Sequence, residues 1–147
     1  MSETVDVLNE LQSADLTQVS AVMPIIDDGV HEGEIIEIDT RENSKKTGHL
    51  LEMKIALTNP TPATKEGIPC EVNPGYPIFH SISLVRTEKY EPLEKIAELM
   101  QAALGTKEGS ALPFEQFIGK TVTFRTKVEL SDEWGDRARI SRFLKQS

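Results

Sequence analysis

Pro92-Leu-Glu-Lys-Ile-Ala-Glu-Leu-Met-Gln-Ala-Ala-Leu104 decides the fold, because it is the one strong helical pattern in a chain whose other patterned stretches read as strands. Leu93, Ile96, Leu99 or Met100, Ala103 and Leu104 form an apolar stripe, Pro92 suits a first turn, and Gly105 is placed to end it. Upstream, His31 to Arg41 is rich in β-branched residues, with Gly33 expected at a bend or bulge. Glu42 to His49 is all polar and reads as a hairpin loop. Leu50 to Thr58 alternates, with Leu51, Met53, Ile55 and Leu57 on one side, as a half-buried strand should. Asn59 to Pro77 contains so many Pro and Gly residues that a long irregular loop is expected there, either functional or mobile. Ile78 to Val85 reads as a third strand, with Ile78, His80 and Ile82 facing inward.

Downstream, Pro113 to Gly119 predicts a single helical turn that presents Phe114, Phe117 and Ile118 to the core. Val122, Phe124, Thr126, Val128 and Leu130 then mark the inward side of a fourth strand, and Ala138, Ile140 and Leu144 that of a fifth. Ser131 to Asp136 is the turn between them. Residues 1–24 read as an acidic, mobile arm with a marginal helix, which leaves 25–147 as the folded domain.

At 147 residues the chain predicts one domain with its own core. Cys70 is the single cysteine, so a disulfide framework or a cysteine metal site is excluded, and a reducing cytoplasmic setting is expected. No stretch approaches the roughly 20 apolar residues that span a bilayer, so no membrane association is expected. The net charge of -8 argues against nucleic acid until it is divided along the chain. Residues 1–39 hold ten carboxylates and no Lys or Arg, whereas 119–147 hold seven cations and four carboxylates. An acidic first quarter is joined to a slightly basic remainder, and a basic face is the electrostatic footprint of a phosphate backbone.

Three strands, a helix and two strands is the order of the OB-fold, a five-stranded Greek-key β-barrel whose helix lies between the third and fourth strands, with a ferredoxin-like or SH3-like arrangement as the alternatives that the pattern leaves open. The fold class is therefore mainly β, with one helix. Gly33-Glu-Ile-Ile36, Lys45-Lys-Thr-Gly48, Leu50-Leu-Glu-Met-Lys-Ile-Ala-Leu57, Phe117-Ile-Gly-Lys-Thr-Val122 and Arg137-Ala-Arg-Ile-Ser-Arg-Phe-Leu144 together resemble the single-stranded DNA-binding proteins of bacteriophages, over roughly residues 29–145. The resemblance implies a protein of phage DNA replication or recombination, resident in the host cytoplasm. Many members of that family end in an acidic tail that recruits partners; here the acidic segment is at the other end, and the C-terminus reads Arg-Phe-Leu-Lys-Gln-Ser.

Binding single strands without sequence choice needs cations along a groove and aromatic faces for stacking. Arg125 and Lys127 share one side of the fourth strand, and Arg137, Arg139 and Phe143 share parity on the fifth. Lys45, Lys46 and Lys54 extend the cationic set from the first hairpin, and Trp134, Phe79, Tyr76, Tyr90 and Phe143 are stacking candidates. His31, His49 and His80 belong to no metal or nucleophile motif, and no phosphate loop or nucleophile elbow occurs, so neither an enzyme nor a cofactor is implied. The expected partners are single-stranded DNA and, through the acidic arm, replication or recombination proteins; self-association is left open. The alternative is an OB-fold protein-interaction module, a virion component or a DNA-mimicking inhibitor of a host enzyme, whose acidic surface is the interface.

Overall fold

The structure, a computed structural model, describes residues 23–130 and 137–145. Apart from Met23 and Pro24, the arm expected at 1–24 lies outside these residues, as does the turn 131–136 with Trp134. Five strands form one antiparallel sheet: β2 (Gly29–Glu42), β3 (His49–Leu57), β6 (Pro77–Ser83), β7 (Thr121–Glu129) and β8 (Arg137–Leu144), in spatial order β6-β3-β2-β7-β8. The helix, α1 (Pro92–Leu104), falls between β6 and β7, as its place in the sequence requires.

The long strand β2 serves two neighbours, pairing with β7 through Gly29–Glu34 and with β3 through Gly33–Glu42. Gly33 stands where the two ladders overlap. It is not the expected bulge: a Cβ there would lie 2.5 Å from Ile55 Cγ2 and 3.0 Å from the Ala56 carbonyl, so glycine is required by close approach of the strands. The bulge comes at Ile36, the residue skipped between the Ile35–Ile55 and Glu37–Lys54 pairs, and it allows both Ile35 and Ile38 to face the core. The loop between β2 and β3 closes through the Asn43 amide donating to the Gly48 carbonyl (2.9 Å), with Lys46 in the left-handed region at φ 55°.

The segment expected to be irregular, 59–77, holds two strands. β4 (Thr61–Lys65) and β5 (Ile68–Val72) form a hairpin whose two turn residues, Glu66 and Gly67, both have positive φ, the geometry that matches strand twist. β1 (Ile25–Ile26) adds to β4 to complete a second, three-stranded sheet. The prolines are tolerated by position. Pro62 lies beyond the end of β1, where its carbonyl accepts the Asp27 amide (3.0 Å), and Pro69 lies on the edge strand β5.

Among the described residues eight strands in two sheets therefore replace the expected five, and the large sheet is not closed by pairing of β6 with β8. The Phe143 amide, on the free edge of β8, donates instead to Glu98 Oε1 of α1 (2.6 Å). The two edges meet through side chains: His80 and Phe143 lie edge-to-face with centroids 5.4 Å apart.

The core gathers Ile35, Leu51, Ile55, Val122 and Phe124 from the sheet against Leu99 of α1, with Phe117 of a short 3-10 turn (Phe114–Phe117) completing it. Phe114 packs at its margin, while Ile118, expected inward, is exposed. On α1, Ile96, Leu99, Met100 and Ala103 are buried as expected; Leu93 is exposed and the buried arc turns toward Ala102 instead. Gly105, at φ 77°, ends the helix in the left-handed conformation, its amide donating to the Gln101 carbonyl.

Strand β8 carries a second bulge. Arg125 pairs with Arg142 and Thr126 with Ile140, leaving Ser141 without a cross-strand partner, its hydroxyl donating to the Arg125 carbonyl (3.2 Å). Parity reverses at that point, so Phe143 rather than Leu144 takes the core position, and Phe143 does not share the outer face with Arg137 and Arg139.

Candidate nucleic-acid interface

The outer face of the β7–β8 hairpin is a ladder of three charged rungs. Glu129 stands opposite Arg137, Lys127 opposite Arg139, and Arg125 opposite Arg142. Only the first pairs opposite charges. Glu129 takes both neighbours, with Arg139 Nη1 at 2.7 Å from Oε2 and Arg137 Nη2 at 3.5 Å from Oε1. The hydrogen bond from Arg139 is the main reason that its carboxyl is held below the usual range. Like charges directly opposite destabilise an antiparallel pair. Two consecutive rungs of this hairpin accept that cost.

Lys54 and Phe79, placed on separate strands by the sequence, are direct partners across β3 and β6. Phe79 is 70% exposed, and the Lys54 ammonium lies 5.8 Å from its ring centroid, so the face of the ring already holds a cation. The hollow beside them, about 600 Å3, is also lined by Arg137 but carries Glu37, Asp39 and Glu52 as well. Lys45 and Lys46 stand exposed in the loop between β2 and β3 and line neither this hollow nor the seam. The structure thus brings together Arg125, Lys127, Arg137 and Arg139 on the hairpin and Lys54 with Phe79 on the sheet. Phe143 is withdrawn into the core, and Trp134 lies outside the described residues.

Between β6 and β8 the seam opens into a cleft of about 660 Å3. Lys95 of α1 faces Lys127, Arg139 and Arg142 there, above His80. Burial, and then the positive charges of Arg139 and Lys95, push the His80 imidazole down to about 4, so it is neutral at physiological pH. Lys95 and Arg142 were missed by sequence reasoning for different reasons. The helix was read only for packing, and unbroken alternation along β8 assigns Arg142 inward, an assignment that the bulge at Ser141 reverses.

The tyrosines are structural. Tyr76 donates to the Pro24 carbonyl (2.7 Å), tying the chain entry to the start of β6, and Tyr90 donates to the Ser83 carbonyl (2.6 Å). Burial is the main cause that raises both phenols above their usual range. Among the described residues no helix is long and apolar enough to cross a membrane. The chain matches no protein-family model, and no curated protein is significantly similar to it.

Proposed function

We propose that this chain is a non-catalytic single-stranded DNA-binding protein of phage DNA replication or recombination, working from an OB-type barrel. The observation that carries the reading is the pair of repulsive rungs, Lys127 opposite Arg139 and Arg125 opposite Arg142. Arg125, Lys127 and Arg142, which no carboxylate among the described residues neutralises, gain most from a polyanion, and phosphate contacts of this kind supply the affinity of sequence-independent binding. The exposed Phe79 beside Lys54 adds a ring on which a base can stack. The barrel assignment draws support from the chain order of the large sheet's five strands, since α1 follows the third, β6, and precedes the fourth, β7. The two edges also run the same way, since four successive antiparallel pairings lead from β6 to β8.

The test is quenching of Trp134 fluorescence by oligo-dT across a salt series. Strong quenching that weakens steeply with salt is expected; no binding at low salt would reject the reading. A second reading, an interaction module whose acidic surface engages a protein, is favoured by one observation. Glu32, Glu34, Glu37 and Asp39 are all exposed along β2, and Asp39 stands opposite Glu52. It predicts that oligo-dT leaves the fluorescence unchanged at every salt concentration.

A further inference from the structure

Along the seam two hollows open one after the other. The first is the cleft in which Lys95 faces Lys127, Arg139 and Arg142. The second, about 380 Å3, lies between α1 and the end of β8, shares Arg142 with the first, and adds Lys107 and Lys145. Together they set six cations against three carboxylates, Glu94, Glu98 and Glu129. Two of the three are already engaged, Glu129 by Arg137 and Arg139 and Glu98 by the Phe143 amide. Among the described residues Lys95, Lys107, Lys127, Arg142 and Lys145 enter no ion pair. The hollow beside Phe79 is the reverse case, with Lys54 and Arg137 facing Glu37, Asp39 and Glu52. A phosphate there meets an excess of negative charge.

We infer that a single strand threads its phosphates along the β6–β8 seam and over the side of α1, gripped by Lys95, Arg142 and Lys107, while the outer face of β3 and β6 contributes the Phe79 ring alone. This path rests on the single-strand reading above and assigns a binding role to the helix. The volume of the cleft falls within the roughly 300–1,000 Å3 of sites that enclose small ligands, so it accommodates a nucleotide rather than a bare ion. Among the described residues the outward edges of β6 and β8 have no strand partner, so the backbone amides that point into the seam, that of Phe143 excepted, are available to phosphate oxygens. His80, which lines the same cleft, is neutral and adds no positive charge to that of the cations around it.

The experiment is binding of fluorescein-labelled oligo-dT to the full chain across a salt series, read by anisotropy, for the wild type and three double variants. Lys95→Glu with Arg142→Glu is expected to weaken binding at least tenfold, and loss of two phosphate contacts lowers the salt slope by about 1.4. Lys46→Gln with Lys54→Gln, which keeps the Phe79 ring, is expected to weaken it less than threefold. Lys65→Glu with Lys89→Glu, which changes net charge equally but lies on neither hollow, is expected to do the same. Thermal melts by circular dichroism confirm that each variant is folded. If the wild type binds and the Lys95/Arg142 variant binds equally well, or if the Lys65/Lys89 variant loses as much, the path is overturned and the single-strand reading stands. If the wild type fails to bind at low salt, the single-strand reading falls and the path falls with it.

Discussion

The outer face of β2 and the outer face of the β7–β8 hairpin are built alike and charged oppositely. Each is an exposed run of alternating residues, and each contains at least one rung of like charges. On the acidic side Asp39 stands opposite Glu52, and Arg41 Nε lies 2.6 Å from Glu52 Oε1, so the repulsion is relieved within the sheet. On the basic side Glu129 relieves Arg137 and Arg139, while Arg125, Lys127 and Arg142 are given no carboxylate among the described residues. A like-charge rung relieved from within the sheet has no need of a counter-charge from outside. One that leaves cations facing each other does, and the net charge of -8 conceals the distinction by summing over both.

The comparison depends first on which residues belong to the basic face, and the bulge at Ser141 decides that. Phe143→Ala is expected to cost about 3–4 kcal/mol in a urea melt, as for removal of a fully packed aromatic side chain, and Leu144→Ala about 1 kcal/mol. Near-equal losses would mean that β8 runs without the reversal and that Arg142 faces inward. The next largest effect is a pH dependence from the seam. His80 titrates near 4 when folded and near 6.5 when unfolded, so stability is full above about pH 6.5 and is lost progressively as pH falls toward 4. Its share is roughly 2 kcal/mol after allowance for partial exposure, and His80→Gln flattens the melting-temperature profile in that window. An unchanged profile would show that the imidazole is neither buried nor crowded by Arg139 and Lys95.

Smaller still is the acidic rung. Arg41→Ala is expected to destabilise the protein by about 0.5 kcal/mol by leaving Asp39 and Glu52 unrelieved, and the loss should shrink in high salt, where exposed charges are screened. A loss that does not respond to salt would point to packing of the arginine stem instead.

Alternation and breakers made the five large-sheet strands and α1 legible, because each has one buried side and a period that records it. Both bulges escaped, since an extra residue at Ile36 or Ser141 changes parity without any mark in composition. The β4–β5 hairpin escaped for another reason. Pro62 and Pro69 count as breakers in sequence, yet each falls where a missing amide costs little, and that depends on where β1 ends and which strand is an edge. The site followed the same pattern. Arg125, Lys127, Arg137 and Arg139 were readable from strand parity alone, and Lys54 with Phe79 became a pair only through register. Lys95 and Arg142 required the packing of α1 and the reversal in β8, neither of which the chain displays locally.

If cations are held against one another to meet a polyanion, as proposed, the single substitution Arg142→Glu shows it in two assays on one sample. Replacing a repulsive partner of Arg125 by an attractive one should raise stability by about 0.5 kcal/mol in a urea melt. The same change should weaken oligo-dT binding three- to tenfold and lower its salt slope by about 0.7, the loss of one phosphate contact. A variant that is more stable and binds less well is the predicted result. One that is less stable, or that binds as tightly as the wild type, would contradict the central claim.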